Sequence, residues 1–467
     1  MLATLPVPAI ADPIYYIGVT PYMMLGAARY LEGLRFITAN DCFGGRWDRI
    51  VFSAGTPEAS LDIRSEVTRL LGAAALENRF RREEAAHALF LMFDERAQSA
   101  ASGLGLNVCL PTAEIRANLD DKLAGTRLAD AAGVPTVPNV LEPIGGYEDL
   151  RRRCSHLGAD LVVQLPFGDS GDSTFFISCE ADFQRYAGAI AKERFVKVMK
   201  RIRCRQMTIE ACNTRCGTFV GPLMKELIGF SELTLHRGGW CGNELVPPGD
   251  SALPPSLRRQ AQRAAIAIGA ALAREGYRGC FGVDFLLDED SGKLYFGELN
   301  PRFTGATPLS TQAAFEENLP PLLVLHLLEW LGRPIPCHAE AYNRQMLEST
   351  NTQAMGSLVI KHLGADSQIL DGAPASGIWR MAGDGRLRFT REAFDPADIT
   401  RADEVFLLRT AEPGQIVPTG SCLARAFLRG SLLDSSYRLN ARATALVEAI
   451  RNLFQVYPAR KAATPLA

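Results

Sequence analysis

The chain has 467 residues, of which 47% are hydrophobic and 22% are charged, and its formal net charge is −2. This length predicts roughly three domains of about 150 residues each, and the near-neutral charge gives no bulk attraction to nucleic acid or to an anionic membrane. No apolar run approaches the roughly 18 residues of a membrane span, so a membrane protein is not expected. The eleven cysteines are scattered through a long chain, which favours reduced thiols in a cytoplasmic protein over a secreted disulfide scaffold.

The first part of the chain alternates strand-like and helix-like patterns. Strands are expected at residues 14–19, 35–39 and 49–53, a short helix at 26–34, and mostly helical structure at 61–99. Such alternation predicts a parallel sheet. Gly18 lies at the end of the first strand, but no GxGxxG motif is present, so a plain strand-end glycine is favoured over a nucleotide-binding turn.

The segment NLDDKLAGTRLADAAGVPTVP, which begins at Asn118, has the pattern of a helix. Asn118 fits the N-cap, and the helix would run to Ala132, where a glycine and a proline end it. Further on, strands at 161–165 and 174–177 flank a loop rich in Gly and Ser. Small loop residues let backbone N–H groups approach a phosphate, but an ordinary hairpin turn is the commoner use of such a loop.

A basic run at residues 197–205 carries no interleaved aromatic residues, so binding of single-stranded nucleic acid is not expected. The basic run is therefore expected to be either a solvated strand edge or a patch near phosphates. Cys204, Cys212 and Cys216 lie close together in the sequence but form no CxxC pair. We therefore expect buried or half-buried thiols there rather than a zinc site.

The stretch GCFGVDFLLDEDSGKLYFGELNPR, residues 279–302, contains two apolar runs around the turn cluster DEDSGK, which predicts a β-hairpin. A hairpin symmetric about Ser291 places Asp284 directly across from Glu298. Alternation of side chains then predicts two faces. One face would carry Gly282, Asp284, Leu286, Phe296, Glu298 and Asn300, and the other Val283, Phe285, Leu287, Tyr295 and Leu299.

Two carboxylates at cross-strand distance repel each other unless a cation lies between them. Together with the amide oxygen of Asn300, Asp284 and Glu298 form an oxygen set that suits Mg²⁺. A solvated edge is the alternative, since acidic residues at a hairpin are usually hydrated. The surrounding Phe, Val, Leu and Tyr residues argue against that alternative.

The strand pair VDFLLD…LYFGELNPR resembles the metal-binding strands of the ATP-grasp superfamily, whose members join a carboxylate to a nucleophile through an acyl-phosphate. The resemblance implies that Asp284, Glu298 and Asn300 hold magnesium, with two ions expected and Mn²⁺ as an alternative. It also implies that Arg302 faces the transferring phosphoryl group. The cofactor implied is ATP.

The same resemblance implies further ATP-binding residues. Lys122 lies in the segment that opens the nucleotide-binding lobe in this superfamily, and we expect it to contact phosphates and to act in catalysis. Gln164 stands where many members carry a second phosphate-binding lysine, so a charge is missing at that position. The other expected contacts are Ser170, Gly171, Ser173 and Thr174 in the glycine-rich loop, Met199, Lys200 and Ile202 in the adenine hinge, Gln206 near the ribose, and His236 near the phosphates.

Beyond Arg302, a helix is expected at 321–331, short strands at 350–430 and a closing helix at 439–454. The expected fold is a multidomain α/β and α+β structure of the ATP-grasp type. Its predicted parts are an N-terminal α/β domain preceding the ATP-grasp domain, the small nucleotide lobe, the core with the metal site, and a β-rich C-terminal appendage, at residues 1–117, 118–195, 196–335 and 336–467.

This domain order is similar to that of the pheganomycin-type peptide ligases. It predicts an ADP-forming ligase that joins a small-molecule carboxylate to an amine or a peptide. The first alternative is an ATP-dependent carboxylase, against which the missing Gln-Val-Glu-His-like run after Arg302 argues. The second is a nucleotide-binding regulatory protein that has lost catalysis, which the missing charge at Gln164 would support. A homodimer is left open.

Overall fold

The computed structural model describes residues 10–55, 62–81, 83, 85–168, 173–349 and 354–458. These residues form two compact units. The central unit comprises 110–226 and 245–349, and the terminal unit comprises 10–109, 227–244 and 354–458. No helix among the described residues is both long and apolar enough to cross a membrane. The four domain boundaries expected from the sequence stay a prediction.

The first part of the terminal unit is a parallel sheet, as the alternation of patterns predicted. Its strands are β1 (Ile14–Gly18), β2 (Leu34–Thr38), β3 (Ile50–Ser53), β4 (His87–Phe90) and β5 (Asn107–Val108), and its helices are α1 (Ile63–Leu71), α2 (Ala74–Phe80) and α3 (Glu95–Gly103). The strand order is β3-β2-β1-β4-β5, and each neighbouring pair is parallel.

One expectation for this region is wrong, and a second is confirmed only in part. In place of the short helix at 26–34 there is one 3₁₀ turn at Ala27–Arg29, and Gly26, with a φ of 86°, separates it from another at Pro21–Met24. The largely helical reading of 61–99 missed β4, whose apolar residues are buried. Burial in the sheet outweighs the helical propensity of alanine and leucine there.

The central unit begins with a small antiparallel sheet and its helices. The elements are α4 (Ala113–Asp120), α5 (Lys122–Ala131), β6 (Asn139–Glu142), α6 (Tyr147–Cys154), β7 (Leu161–Gln164), β8 (Thr174–Ile177), α7 (Glu180–Ile190) and β9 (Val196–Lys200), with strand order β6-β9-β7-β8. The predicted single helix from Asn118 is two helices. Asp121 caps α5, because its carboxylate accepts hydrogen bonds from the backbone N–H groups of Leu123 at 2.7 Å and Ala124 at 3.1 Å.

A larger antiparallel sheet follows. The next elements are β10 (Cys204–Thr214), β11 (Gly217–Ile228), β12 (Trp240–Leu245), α8 (Leu257–Arg274), β13 (Gly279–Asp288), β14 (Leu294–Asn300), α9 (Thr307–Glu316), α10 (Leu322–Trp330) and α11 (Ala339–Glu348). In the central unit the strand order is β14-β13-β10-β11. Residues of α8 such as Leu257, Ala261 and Ile268 recur at helical spacing and are buried in the core beneath this sheet.

The last part of the chain is β-rich, as expected. Its elements are β15 (Met355–Lys361), β16 (Gln368–Gly372), β17 (Gly377–Met381), β18 (Leu387–Arg391), β19 (Glu404–Arg409), β20 (Ile416–Val417), β21 (Cys422–Arg429), α12 (Ala441–Arg451) and β22 (Gln455–Pro458). In the terminal unit the strands run β12-β15-β21-β19-β17-β18, and a separate small sheet has the order β20-β16-β22. The strands and the closing helix form one apolar core.

Candidate active site

The hairpin of β13 and β14 pairs Asp284 with Glu298, which is the register that symmetry about the turn predicts. The alternation of faces, however, is interrupted by a bulge. Phe285 pairs with Phe296 rather than with Gly297, so Gly297 has no partner of its own on β13. A β-carbon on Gly297 would lie 3.1 Å from the carbonyl oxygen of Asp284, so the bulge leaves little room for a side chain.

Because of the bulge, two of the predicted side-chain positions are wrong. Phe296 was expected beside the acids, but it is 1% exposed and packs in the apolar core. Tyr295 was expected in that core, but it pairs with Leu286 and packs with it against a separate apolar group. One additional residue in a strand reverses the face of every side chain beyond it.

The acidic pair is held closely by its neighbours. The amide nitrogen of Asn300 donates to Asp284 Oδ2 at 2.8 Å. Burial and the charge of Glu298 raise the pKa of Asp284 to about 6, while hydrogen bonds from Thr208 and Asn300 and the charge of Arg302 act in the opposite direction. The raised pKa indicates that the charge of Asp284 is disfavoured in the metal-free pair, and the oxygens of the pair suit a hard divalent ion.

A third acid, Glu226, lies in the same group and was missed by the sequence reasoning. Strand β10 pairs Thr208 with both Asp284 and Met224, so Glu226, two residues beyond Met224 on β11, is on the same face of the sheet. Burial, followed by the charges of Asp284 and Glu298, raises the pKa of Glu226 well above its ordinary value. The available signal was an acid at an alternate position of a strand that is otherwise mostly apolar.

Lys122 is the first residue of α5 and is buried beside the acids. Its ammonium donates to Glu298 Oε1 at 2.8 Å and to the carbonyl oxygen of Gly168 at 2.7 Å. Its side chain is only 5% exposed. Lys122 therefore joins the hairpin to the start of the Gly/Ser-rich loop.

The face of the small sheet that carries Gln164 holds several polar groups. Gln164 is 7% exposed and donates to the hydroxyl of Thr174 at 3.3 Å, and its Oε1 is buried with no hydrogen-bond partner among the described residues. The hydroxyl of Ser173 is also buried and lacks a partner within the described part of the chain. Lys197, opposite Gln164 on β9, is 1% exposed. This burial contradicts a solvated strand edge at the start of the basic run.

The same face becomes apolar away from the loop. Val162 pairs with Met199, and these two residues pack with Val137, Ile202 and the Leu286–Tyr295 pair of the hairpin. Gln206 pairs with Leu286 on the neighbouring strand, whereas Lys200 is exposed at the end of β9. The structure therefore brings an apolar group, followed by a polar group of lysines and acids, to one side of the small sheet.

Arg302 lies two residues after the end of β14 and is partly exposed. The residues after it have structural contacts. Buried Glu210 accepts hydrogen bonds from the hydroxyls of Thr304 at 2.7 Å and Thr307 at 2.6 Å. Burial raises the pKa of Glu210, and these hydrogen bonds act against the shift.

Three of the predicted contacts are not tested by the structure of the central unit. Ser170 and Gly171 lie outside the described residues. His236 is exposed in the terminal unit, where its backbone N–H donates to the Thr234 hydroxyl at 3.2 Å. Their roles stay predictions.

A different set of potential metal ligands lies in the core of the central unit, formed by Cys212, Cys280 and His326. Nδ1 of His326 accepts the backbone N–H of Cys280 at 3.0 Å, and the Cys280 thiol donates to the Leu322 carbonyl at 3.4 Å. Burial raises the pKa of Cys280 well above its ordinary value. These hydrogen bonds are typical of buried core residues. Of the three cysteines considered from the sequence, Cys212 is buried, Cys204 half-buried and Cys216 exposed, so the expectation of burial is wrong for Cys216.

Comparison with known proteins gives distant matches. No family model matches the chain. The pyruvate carboxylase of Aspergillus terreus is 24% identical over 205 residues, which is 41% of this chain and 16% of that protein. The urea amidolyase of Saccharomyces cerevisiae is 22% identical over 302 residues, or 62% of this chain and 15% of that protein. The chain spans about one sixth of the length of these relatives.

Solved structures match along almost the whole chain. The biotin carboxylase domain dimer of Hydrogenobacter thermophilus 2-oxoglutarate carboxylase, in complex with MgADP, ADP and bicarbonate, has a TM-score of 0.63 at 13% identity, covering 95% of this chain and 90% of that one. The chain has the ATP-grasp fold. An N5-carboxyaminoimidazole synthase from Aspergillus clavatus, in complex with ADP and 5-aminoimidazole ribonucleotide, has a TM-score of 0.57 at 13% identity, covering 95% and 99%. The expected fold class is confirmed, whereas these matches are to carboxylases and related synthases and give no support to the peptide-ligase subfamily.

Proposed function

We propose that this protein is an ATP-dependent, ADP-forming enzyme that phosphorylates a carboxylate, with bicarbonate as the first candidate acid. The observation that carries the proposal is the group of Asp284, Glu298 and Asn300 beside buried Lys122, on an ATP-grasp fold. The choice of bicarbonate is supported by the similarity to a domain solved with MgADP and bicarbonate, and by the distant similarity to pyruvate carboxylase.

The residues present fit a magnesium nucleotide. Two carboxylates and an amide oxygen are ligands that Mg²⁺ accepts alongside phosphate oxygens. The buried side-chain oxygens of Gln164 and Ser173 have no hydrogen-bond partner among the residues that the structure describes, and the apolar group of Val162, Met199 and Tyr295 suits a flat base. When bound, magnesium would neutralise charge that develops on the transferring phosphoryl group.

The chain's own residues would then act by position and charge. Lys122 would bind phosphate oxygens as a compact cation, since its ammonium already lies between Glu298 and the start of the loop. Arg302 would orient the acid and stabilise negative charge on the group in transfer. Phosphoryl transfer depends mainly on such positioning and electrostatic stabilisation.

A carboxylate–amine ligase, joining an amino acid to an amine or a peptide, is the second candidate. It is favoured by the sequence Phe-Thr-Gly-Ala after Arg302, in place of the Gln-Val-Glu-His-like run of carboxylases. The residues from Phe303 to Ala306 include no carboxylate, and the hydroxyls of Thr304 and Thr307 donate to buried Glu210. The two candidates share the first step and differ in the acid and in the acceptor.

The test is ADP release with Mg-ATP, first with bicarbonate and a biotin or amine acceptor, then in bicarbonate-free buffer with a panel of amino acids and peptides. Acid labelled with ¹⁸O in its carboxylate identifies the true substrate, because an acyl-phosphate leaves one labelled oxygen in the released phosphate. Bicarbonate-dependent release of labelled phosphate supports the first candidate, and labelling from an amino acid supports the second.

The Glu298→Gln variant should lose ADP release, because it removes a ligand charge. Glu289→Gln is the matched control, since the Glu289 side chain lies in the same hairpin and is 27% exposed, against 28% for Glu298. Equal turnover in the two variants would exclude this site. Nucleotide binding without ADP release for any acid would instead indicate a regulatory protein. Light scattering in the same buffers would test for the homodimer that the sequence leaves open.

A further inference from the structure

Lys197 is a buried lysine that the reaction described above does not use. It is 1% exposed, and within the described residues its ammonium makes no hydrogen bond or ion pair. Its neighbours Val196 and Val198 lie on the opposite face of β9, in the apolar core of the small sheet. Burial of an unpaired ammonium is costly, so a lysine at this position requires a compensating anion.

The strand register places Lys197 beside Gln164. The two residues are direct partners on β9 and β7, and Met199 pairs with Val162 on the same face. Partners on neighbouring strands have β-carbons about 5 Å apart. A lysine at either position can therefore bring its ammonium to the same region, at the polar end of the face.

The charges around Lys197 are those of the candidate active site. Burial lowers the pKa of Lys197 to about 8, the carboxylates of Glu298 and Asp130 act against this shift, and Lys122 adds to it. Two lysines thus approach Glu298 from the small sheet and from α5. The buried Oε1 of Gln164, which has no hydrogen-bond partner in the described part of the chain, lies at the same end of the face.

We propose that Lys197 binds the phosphates of the nucleotide and supplies, from the neighbouring strand, the positive charge that Gln164 lacks. The inference rests on the proposed function, because it requires a nucleoside di- or triphosphate at this site. A purely structural role, in which Lys197 balances the buried acids of the hairpin, is the competing explanation. The two explanations differ in the expected stability of the nucleotide-free protein when Lys197 is replaced.

The experiment measures nucleotide affinity directly by calorimetry, with MgADP, the magnesium complex of a non-hydrolysable ATP analogue, and adenosine. The variants are Lys197→Gln, the double variant Lys197→Gln with Gln164→Lys, and Lys192→Gln as control. Lys192 is exposed just after α7, so this control removes the same charge from the same lobe. Thermal unfolding of each nucleotide-free variant is recorded alongside.

Lys197→Gln should weaken binding of both phosphorylated nucleotides by about 10- to 100-fold, the range expected for a charge-assisted hydrogen bond, and leave adenosine binding unchanged. The double variant should recover most of the loss, and nucleotide-free Lys197→Gln should unfold at the wild-type temperature or above. The inference would be overturned if Lys197→Gln bound ADP as tightly as wild type, or if its affinity for adenosine fell equally. It would also be overturned if the double variant did not regain nucleotide affinity, or if nucleotide-free Lys197→Gln unfolded at a much lower temperature. If wild-type protein binds none of the nucleotides, the proposed function itself fails.

Discussion

The acidic pair of the hairpin should make the metal-free protein less stable than it would be without one of its charges. The pKa of Asp284 is raised to about 6 from its ordinary value of 3.8, first by burial and then by Glu298. Because the folded pKa lies above the unfolded one, this carboxylate costs no stability below pH 3.8, and its cost grows up to pH 6 and stays constant above. One pKa unit corresponds to about 1.36 kcal/mol, which gives an upper bound near 3 kcal/mol.

Asp284 is partly exposed, so screening by water reduces this cost to roughly 1–2 kcal/mol. The variant Asp284→Asn keeps an oxygen that accepts the hydrogen bond from Asn300 and removes the charge. In EDTA at pH 7.5 it should therefore unfold about 2 °C above wild type. At pH 5 the gain should shrink, because wild-type Asp284 is then largely protonated.

Differential scanning fluorimetry over pH 5–8 measures this effect, with and without Mg²⁺ and a non-hydrolysable ATP analogue. Asp290→Asn in the same turn is the control, because its ion pair with Arg203 is 70% exposed on both sides and contributes little. The metal and the nucleotide should stabilise wild type and the control but not Asp284→Asn. The electrostatic argument would be refuted if Asp284→Asn unfolded at a lower temperature than wild type in EDTA. It would also be refuted if the metal and nucleotide raised the unfolding temperature of the variant as much as that of wild type.

The remaining predictions concern the bulge and a buried ion pair. Gly297→Val should raise the magnesium concentration needed for half-maximal ADP release several-fold, because a β-carbon 3.1 Å from the Asp284 carbonyl oxygen forces the strands apart; an unchanged magnesium titration would contradict this. Glu404→Gln should lower the free energy of unfolding by about 2–4 kcal/mol at pH 7, because Glu404 is 1% exposed and accepts a 2.6 Å hydrogen bond from Arg391. The pKa of Glu404 is lowered to about 2 by Arg391, so the wild-type advantage should be complete above pH 4.5 and decline as the pH falls toward 2. Urea unfolding at pH 7 and pH 3.5 checks this, and an equal difference at both pH values would contradict it.

Much of the fold was predictable because it is specified by patterns of residues that lie close together in the sequence. The turn cluster between two apolar runs specifies the β13–β14 hairpin, and its symmetry specifies the pairing of Asp284 with Glu298. The alternation of strands and helices in the first hundred residues specifies a parallel sheet. These features depend on residues a few positions apart, which a single sequence displays directly.

Other features depended on which strands become neighbours. Glu226 joins the acidic pair only because β11 and β13 both flank β10, and Lys197 reaches the same region only because β9 pairs with β7. The bulge at Gly297 moves Phe296 into the core and Tyr295 out of it. Sequence alone determined that a hairpin would present two acids and an amide. Tertiary structure decided which further charges surround them, because alternation along a strand shows which side chains share a face but not which other elements pack against that face.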